Sequence, residues 1–176
     1  GKLVTETKVL KKRVNKKYQM IGESKALHKI REMIDRVAET DARVLITGAN
    51  GTGKELVAHA IHSLSSQNTK RFVAVNCGAI PEGPIESESF GHKKGSFTSA
   101  FADKKGLFEV VQGGTLFLDE IGFMPMSCQV KLLRAVEQRQ IMPVGATKPL
   151  DVDLRLVSAT NRDLFKEIKE DRFRED

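Results

Sequence analysis

The feature that most constrains the fold is a glycine-rich stretch at residues 48–55, Gly-Ala-Asn-Gly-Thr-Gly-Lys-Glu, which follows the apolar run Val44-Leu45-Ile46. Its spacing, a glycine, four residues and then Gly-Lys, is that of a P-loop, in which backbone N–H groups converge on phosphate oxygens and the lysine adds a positive charge. Apolar residues recur at helical intervals after it, so a helix N-terminus is expected under the phosphates. The stretch therefore predicts a site for a nucleoside triphosphate.

One position of this stretch departs from the general P-loop pattern. Glu55 stands where a serine or threonine hydroxyl normally helps to hold Mg²⁺. The metal therefore needs a ligand from another part of the chain.

The composition fits one domain with a substantial core, because the chain has 176 residues of which 40% are hydrophobic. Cys77 and Cys128 are its only cysteines, and no Cys/His spacing resembles a zinc site. We interpret both as reduced structural thiols of a cytoplasmic protein. The sequence shows no signal peptide and no apolar stretch long enough to cross a bilayer, which predicts a soluble protein without a membrane partner.

The net charge of +6 is concentrated near the N-terminus. Six basic residues and no acidic ones lie between Lys8 and Lys17, and the other 23 basic residues balance the 23 acidic residues. We interpret residues 1–19 as a basic interdomain linker and residues 20–176 as the folded domain, with a DNA-contacting arm as the alternative for the basic run.

Strand-like and helical segments alternate along the domain. Strands are predicted at 44–46, 72–76, 115–118 and 152–159, and the run at 72–76 is apolar without alternation, as expected of a strand covered on both faces. Helices are predicted after Ser24, at 55–62 and at 127–138. This order predicts an α/β three-layer sandwich with a mainly parallel sheet and its ligand at the carboxyl edge of the strands.

Two helices have apolar faces that can be named in advance. Ser24 is a suitable N-cap for the first. Its expected buried face consists of Leu27, Ile30, Met33, Ile34 and Val37. The expected face at 127–138 consists of Val130, Leu133 and Val136, with Leu132 widening the stripe. Residues 106–111 are expected to end a further helix.

Asp119 and Glu120 follow an apolar strand, and they are candidates for the hydrolytic chemistry. A carboxylate at a strand terminus can hold Mg²⁺ between the β- and γ-phosphates, while its neighbour orients and deprotonates a water molecule. The pair, downstream of a P-loop, predicts a nucleotide hydrolase.

Three blocks of sequence, at residues 48–58, 86–100 and 114–121, together resemble the central AAA+ domain of bacterial enhancer-binding proteins, the ATPases that activate sigma-54 RNA polymerase. The resemblance runs from about residue 19 to the end of the chain, and the second block is peculiar to this family. Glu55 after the P-loop lysine also matches the family.

The resemblance implies roles for individual residues. Lys54 would contact the β- and γ-phosphates, Asp119 the Mg²⁺ and Glu120 the attacking water. Asn76 matches an asparagine that switches the orientation of this glutamate, and Arg174 matches an arginine finger donated across a subunit interface. The implied ATP/ADP contacts are Gly48, Asn50, Gly51, Thr52, Gly53, Lys54, Glu55 and Leu56, with Ile21 and Gly22 near the adenine. Thr160 and Asn161 match the first sensor.

The segment at residues 95–100 corresponds to the family's sigma-54-contacting loop. Its implied partner-binding residues are Gly95, Ser96, Phe97, Thr98, Ser99 and Ala100. Phe97 lies among small residues and near several lysines, so it is expected to be exposed at a loop tip rather than in the core. Ser96 and Ser99 replace the family's alanine and glycine, and Ser99 lacks the freedom of glycine at positive φ.

The first hypothesis is an ATP-hydrolysing core that works as a hexameric or heptameric ring and remodels sigma-54 RNA polymerase holoenzyme. The alternative is a nucleotide-dependent regulatory oligomerisation module that does not engage sigma-54; a small-molecule kinase is a weaker third hypothesis, since no acceptor-binding lid is evident. The resemblance implies that a second arginine, a helical lid and a DNA-binding domain would follow residue 176. The lysine-rich N-terminus indicates that a further domain precedes the chain, either a receiver of a two-component system or another sensor, and does not distinguish between them. We expect these 176 residues alone to be mostly monomeric and a poor ATPase.

Overall fold

The computed structural model of this protein describes residues 2–6, 20 and 22–176. The lysine-rich run and Ile21, for which the sequence supports predictions, lie outside the described residues. Residues 2–6 form a short, exposed helical segment, and the main body begins with the helix that starts at Lys25.

Helices and strands alternate along the main body. In chain order they are α1 (Lys25–Ala38), β1 (Val44–Thr47), α2 (Lys54–Ser63), β2 (Phe72–Asn76), α3 (Glu82–Phe90), α4 (Leu107–Val110), β3 (Thr115–Asp119), α5 (Met126–Glu137), β4 (Gln140–Ile141), β5 (Leu150–Asp151), β6 (Arg155–Thr160) and α6 (Leu164–Lys169). A 3₁₀ turn, Ile121–Phe123, lies between β3 and α5.

The central sheet is parallel, with the strand order β1-β6-β3-β2. Thr47 pairs with Thr160 at one side of the sheet, and Asn76 pairs with Asp119 at the other. The four strands therefore end at one edge, where the loops that follow them can meet. β4 and β5 form a separate antiparallel ribbon.

The two faces of the sheet belong to two different hydrophobic clusters. Because successive side chains of a strand point to opposite faces, Phe117 of β3 lies in one cluster while Leu116 and Leu118 lie in the other. The first cluster also contains Ile34, Ala58, Ile61, Val157 and Ala159 from α1, α2 and β6. The second also contains Ile85, Phe90, Phe108, Cys128, Leu132, Ala135 and Leu156 from α3, α4, α5 and β6. This arrangement confirms the predicted αβα sandwich.

The helices begin near their predicted positions, and Ile34 and Leu132 are buried as predicted, but the two predicted apolar faces also include exposed residues, Ile30 and Met33 in α1 and Val130 in α5. The hydroxyl of Ser24 accepts a hydrogen bond from the N–H of Leu27 at 3.2 Å, as an N-cap should. Met33, however, is 62% exposed, because α1 contacts the body along Ile34 and Ala38. In α5, Val130 is exposed and the buried face is centred on Cys128, Leu132 and Ala135.

Three further predictions require correction. β6 begins at Arg155 rather than at Val152, whose N–H instead bonds to the carbonyl of Arg139 beside the β4–β5 ribbon. β2 lies at the border of the sheet and is only half-buried, with Ala74 exposed. Residues 107–110 form a separate short helix after Gly106.

Candidate functional site

The phosphate loop connects β1 to α2 at the carboxyl edge of the sheet. Gly51 and Gly53 have φ values of +77° and +88°, in the left-handed region that favours glycine. Gly53 is the N-cap of α2 and provides no side-chain cap, so the first N–H groups of this helix remain available to an anion. The backbone therefore has the form of a phosphate cradle.

Lys54 lies inside this loop. Its side chain is almost fully buried, and Nζ donates to the carbonyl oxygens of Gly48 at 2.8 Å and Ala49 at 3.4 Å. A buried ammonium group is tolerated only with hydrogen-bond acceptors of this sort, and the oxygens of a phosphate can accept hydrogen bonds from it in the same way. Glu55 is exposed in the first turn of α2 and Leu56 is half-buried.

The two candidate hydrolytic carboxylates lie where β3 ends. Oδ1 of Asp119 accepts a hydrogen bond from the N–H of Glu120 at 2.9 Å. Glu120 has the left-handed backbone angles φ 53° and ψ 48°, and the 3₁₀ turn begins directly after it. A non-glycine residue in this region carries about 1–3 kcal/mol of local strain, which the surrounding structure must support.

Asn76 and Glu120 come together over Gly78. Oδ1 of Asn76 accepts a hydrogen bond from the N–H of Gly78 at 2.9 Å. A β-carbon at Gly78 would lie 2.4 Å from Oε2 of Glu120 and 3.3 Å from Oδ1 of Asn76. Gly78 was not among the predicted site residues, and its position two residues after Asn76 was the only signal in the sequence.

The end of β6 is tied directly to the phosphate loop. The N–H of Gly48 bonds to the carbonyl of Thr160 at 3.2 Å, and Nδ2 of Asn161 donates to Oδ1 of Asn50 at 3.1 Å. The site thus combines residues that follow all four parallel strands.

Arg162 is a second residue that sequence reasoning missed. Its guanidinium carbon lies 3.7 Å from the ring centroid of Phe123, in the turn after Glu120. Nη1 of Arg162 also lies 3.7 Å from Oε2 of Glu167. Its place directly after Asn161 was the available signal. The contacts link the end of β6 to the turn that carries Glu120.

Arg174 lies against α5. Its Nε and Nη2 atoms bond to the two carboxylate oxygens of Asp176 at 2.8 and 2.7 Å, and its N–H bonds to Oε1 of Gln129 at 2.8 Å. The paired carboxylate raises the pKa of Arg174. Among the described hydrogen bonds, none joins Arg174 to the phosphate loop of its own chain.

The base of the loop at residues 92–104 is held by backbone pairing. The N–H groups of His92 and Lys104 each bond to the other residue's carbonyl, at 2.9 and 2.8 Å, and the N–H of Lys93 bonds to the carbonyl of Val144 at 2.9 Å. Phe97 is 40% exposed and contacts the ring of His92 edge-on, with centroids 4.8 Å apart. Phe101 is 82% exposed. The loop therefore presents two aromatic side chains.

The two serines of this loop have different surroundings. The described non-glycine residues with positive φ are Glu120, Arg139 and Asp171, so Ser99 does not need the freedom of glycine here. Ser96 packs at Gly145, where an added β-carbon would lie 2.5 Å from that of Ser96. Gly95 has φ +80°, which suits glycine.

Gly22, Ile21 and the two cysteines are the remaining candidate residues. Gly22 has φ +136° and adjoins Leu27, where an added β-carbon would lie 2.9 Å from Cδ2; Ile21 lies outside the described residues.

Both cysteines are buried, and burial, with the nearby Asp119 carboxylate, raises the pKa of the Cys77 thiol to about 12. Such a thiol is unreactive at neutral pH, as expected of a structural cysteine. Within the described part of the chain, no helix has both the length and the apolarity needed to cross a membrane.

Residues 20–176 match the Sigma-54 interaction domain family. The chain is 48% identical over 157 residues to the transcriptional regulatory protein GlrR of Escherichia coli (strain K12), a match that covers 89% of this chain and 35% of GlrR. It is 49% identical over 158 residues to the response regulator protein PilR of Pseudomonas aeruginosa, with coverage of 90% and 36%.

A solved structure shows the same fold with nucleotide. The crystal structure of NtrX from Brucella abortus in complex with ATP superposes with a TM-score of 0.85 at 41% identity, covering 97% of this chain and 37% of that chain. NtrX has also been solved with ADP, with the same TM-score. The chain spans about a third of the length of these relatives. It belongs to the Sigma-54 interaction domain family, the P-loop NTPase domains of sigma-54-dependent transcriptional activators.

Proposed function

We propose that this chain is the ATP-binding and ATP-hydrolysing core of an activator that remodels sigma-54 RNA polymerase holoenzyme. The observation that carries the proposal is the convergence of four strand ends. Lys54 follows β1 and Asn76 ends β2. Asp119 and Glu120 lie at the end of β3, and Asn161, after β6, bonds to the phosphate loop. A binding site alone would not need paired carboxylates at this edge.

Nucleotide would bind with its phosphates on the N-terminus of α2. Backbone N–H groups of the loop would contact phosphate oxygens, and Nζ of Lys54 would exchange its carbonyl partners for the β- and γ-phosphates. Mg²⁺, when bound, neutralises charge that develops on the phosphates. Asp119 fits the role of its protein ligand, because Mg²⁺ usually takes one or two carboxylates together with phosphate and water oxygens. Among the described residues, no group of three or more His, Cys, Asp or Glu side chains is arranged to hold a metal ion by itself, so the phosphates would supply the other ligands.

Glu120 would serve as the general base. Its carboxylate takes a proton from water while the water oxygen forms a bond to the γ-phosphorus and the bond to the β–γ bridging oxygen breaks. Asn76 lies beside this carboxylate over Gly78 and would control its orientation. Asn161 would respond to the γ-phosphate through its bond to Asn50.

Arg174 would act on the nucleotide of a neighbouring subunit in a ring of six or seven. In support of a role in trans, its main chain is fixed on α5, and its described side-chain hydrogen bonds go to Asp176. A guanidinium with paired donors can stabilise charge on the transferring phosphoryl group. Self-assembly would thus complete each site.

The loop at residues 95–100 would contact sigma-54. Phe97 and Phe101 support this role, since exposed aromatic side chains at a loop tip are typical anchors in protein interfaces. DNA would be bound through a separate domain, and the site of action would be the cytoplasm, where RNA polymerase works.

The hydrolytic role is tested with Glu120→Gln in the full-length protein. The variant should bind ATP as the wild type does, while its turnover falls about 100-fold or more because the base is lost. Glu137→Gln, at the exposed end of α5, is the matched control. Unchanged turnover in Glu120→Gln would refute the assignment of the base.

The second candidate function is a regulatory oligomerisation module that does not engage sigma-54. It is favoured by the tight packing of Ser96 against Gly145, which restrains the 95–100 segment itself. Retention of sigma-54 by the full-length protein with an ATP transition-state analogue separates the two. Retention that disappears in Phe97→Ala supports activation, and no retention by the wild type supports the module.

A further inference from the structure

Gln129 is a buried polar side chain on α5 whose hydrogen bonds go to main-chain atoms outside its helix. It is only 5% exposed. Its Nε2 donates to the carbonyl oxygens of Met124 at 2.8 Å and Arg172 at 3.1 Å, and its Oε1 accepts from the N–H of Arg174 at 2.8 Å. Both amide protons are used, so the orientation of the amide is fixed by these partners.

These bonds join two segments that carry chemistry in the proposed function. Met124 closes the 3₁₀ turn that starts directly after Glu120. Arg172 and Arg174 flank Phe173, which packs against the hydrophobic cluster beneath α5. Gln129 therefore fixes the main chain of the candidate arginine finger relative to the turn that orients the candidate base.

Packing alone does not explain an amide at this position. Its helix neighbours Cys128 and Leu132 are buried in an apolar cluster, where a leucine would occupy a similar volume. The amide is explained by Met124, Arg172 and Arg174, whose main-chain groups would lose these bonds if it were apolar.

A second set of contacts holds the same segment by a different residue. Arg172 donates from Nε to Oε2 of Glu167 at 2.6 Å, and Glu167 also lies 3.7 Å from Arg162, which stacks on Phe123. These contacts anchor the side chain of Arg172. Among the described hydrogen bonds, the one that the main-chain N–H of Arg174 donates goes to Oε1 of Gln129, so replacing Gln129 should release the main chain of Arg174 and leave the side chain of Arg172 anchored.

We propose that Gln129 is a positioning residue, which holds Arg174 in the orientation needed to act on the nucleotide of the neighbouring subunit and couples it to the Glu120 turn of its own subunit. The inference rests on the proposed function, in which Arg174 acts across a subunit interface.

Mixed assemblies of the full-length protein test this role, because they place the two parts of one active site on different subunits. The accepting subunit carries Arg174→Ala and keeps its own phosphate loop. The donating subunit carries Lys54→Ala and keeps Arg174. Each alone should hydrolyse ATP poorly, and mixing should raise turnover at least about tenfold. Gln129→Leu is then added to the donating subunit, whose own site is already inactive, so that an effect on turnover in an assembled donor cannot come from that subunit's own hydrolysis.

We expect Gln129→Leu in the donating subunit to reduce the restored turnover at least about tenfold, with little change in KM, since the phosphate loop in use belongs to the other subunit. Gln138→Leu, an exposed glutamine at the end of α5, should have no effect. Gln129→Met is the second variant, because methionine fills irregular core space without an amide. Light scattering and thermal unfolding of each donating subunit establish that it folds and assembles.

The outcomes separate the inference from the function on which it rests. Full turnover with Gln129→Leu or Gln129→Met in a properly assembled donor overturns the inference and leaves the finger in place. Failure of both variants to assemble would make Gln129 a folding residue and also overturn it. If mixing restores no turnover while Gln129 is intact, Arg174 does not act in trans, and that part of the proposed function is refuted together with the inference.

Discussion

Asn161, which follows the last residue of β6, donates a hydrogen bond from Nδ2 to Oδ1 of Asn50 in the phosphate loop at 3.1 Å. One residue earlier, the carbonyl of Thr160 accepts a bond from the N–H of Gly48 at 3.2 Å. The loop is therefore joined to the neighbouring strand both through the main chain and through one side chain. Only the side-chain bond can be removed by substitution without disturbing the backbone.

Asn161→Ala should lower kcat about 10- to 100-fold while changing KM for ATP less, because the side-chain bond through which Asn161 would respond to the γ-phosphate is lost whereas the main-chain cradle remains. Steady-state kinetics on the full-length protein measure both constants. Asn68→Ala removes an exposed asparagine side chain of the same type and should leave both unchanged. A raised KM with wild-type kcat would restrict Asn161 to binding.

Lys54→Met should abolish the stabilisation of the protein by ATP. In the wild type, ATP at about 100 times its Kd should raise the free energy of unfolding by about 2.7 kcal/mol. The variant without ATP should remain folded. It loses the hydrogen bonds to the carbonyls of Gly48 and Ala49, but it also avoids the free-energy cost of burying an ammonium group, which offsets part of that loss. Thermal unfolding with and without ATP measures the difference. Lys29→Met, on the exposed side of α1, should keep the full ATP-dependent shift.

The sequence predicted the sheet and its carboxyl edge because those features have local signatures. A strand followed by a glycine-rich turn, or by paired acidic residues, can be recognised within about ten residues of chain. Helix burial was predicted less well: the apolar residues of α1 were identified correctly, but periodicity does not show which of them a partner covers. The prediction therefore failed at Met33, which the described residues leave 62% exposed.

The residues that connect the site to the rest of the domain could not be predicted. Gln129 has partners 43 and 45 positions away along the chain, and nothing in its own helix requires an amide. Arg162 reaches Phe123 only because β6 and β3 are adjacent in the sheet. Such contacts depend on the tertiary arrangement, whereas sequence patterns report local periodicity and motif spacing.

His62 should make the stability of the domain fall as the pH is lowered below its ordinary pKa of 6.5. Its Nε2–H donates to the carbonyl of Lys70 at 3.1 Å, which leaves Nδ1 to accept from the hydroxyl of Thr115 at 2.8 Å in the neutral ring. Burial lowers the pKa of His62, and the charges of His59 and Arg155 lower it further.

The unfolded chain therefore takes up a proton below pH 6.5 while the folded domain resists it. The contribution of His62 is complete above that pH and decreases towards its lower folded pKa, by up to about 1.4 kcal/mol for each pH unit. Urea unfolding between about pH 7.5 and about pH 5.5 should show a flatter dependence in His62→Gln than in the wild type. His28→Gln, which alters an exposed histidine, should retain the wild-type slope; equal slopes in all three proteins would contradict the assignment.

Gly106→Ala should disturb the loop that carries Phe97 and leave nucleotide binding intact. A β-carbon at Gly106 would lie 2.3 Å from the main-chain nitrogen of Gly91 and 2.4 Å from the carbonyl oxygen of Ser89, and main-chain atoms cannot rotate away. We expect a loss of about 1–3 kcal/mol in the free energy of unfolding and weaker retention of sigma-54, with an unchanged Kd for ATP because the phosphate loop lies elsewhere. Gly83→Ala is the comparison variant: apart from its chain neighbours and the backbone of its own helix, no atom lies within 4 Å of its added β-carbon in α3, so it should lower the free energy of unfolding less than Gly106→Ala does. Equal stability of the two variants would show that the backbone around Gly106 can move apart freely.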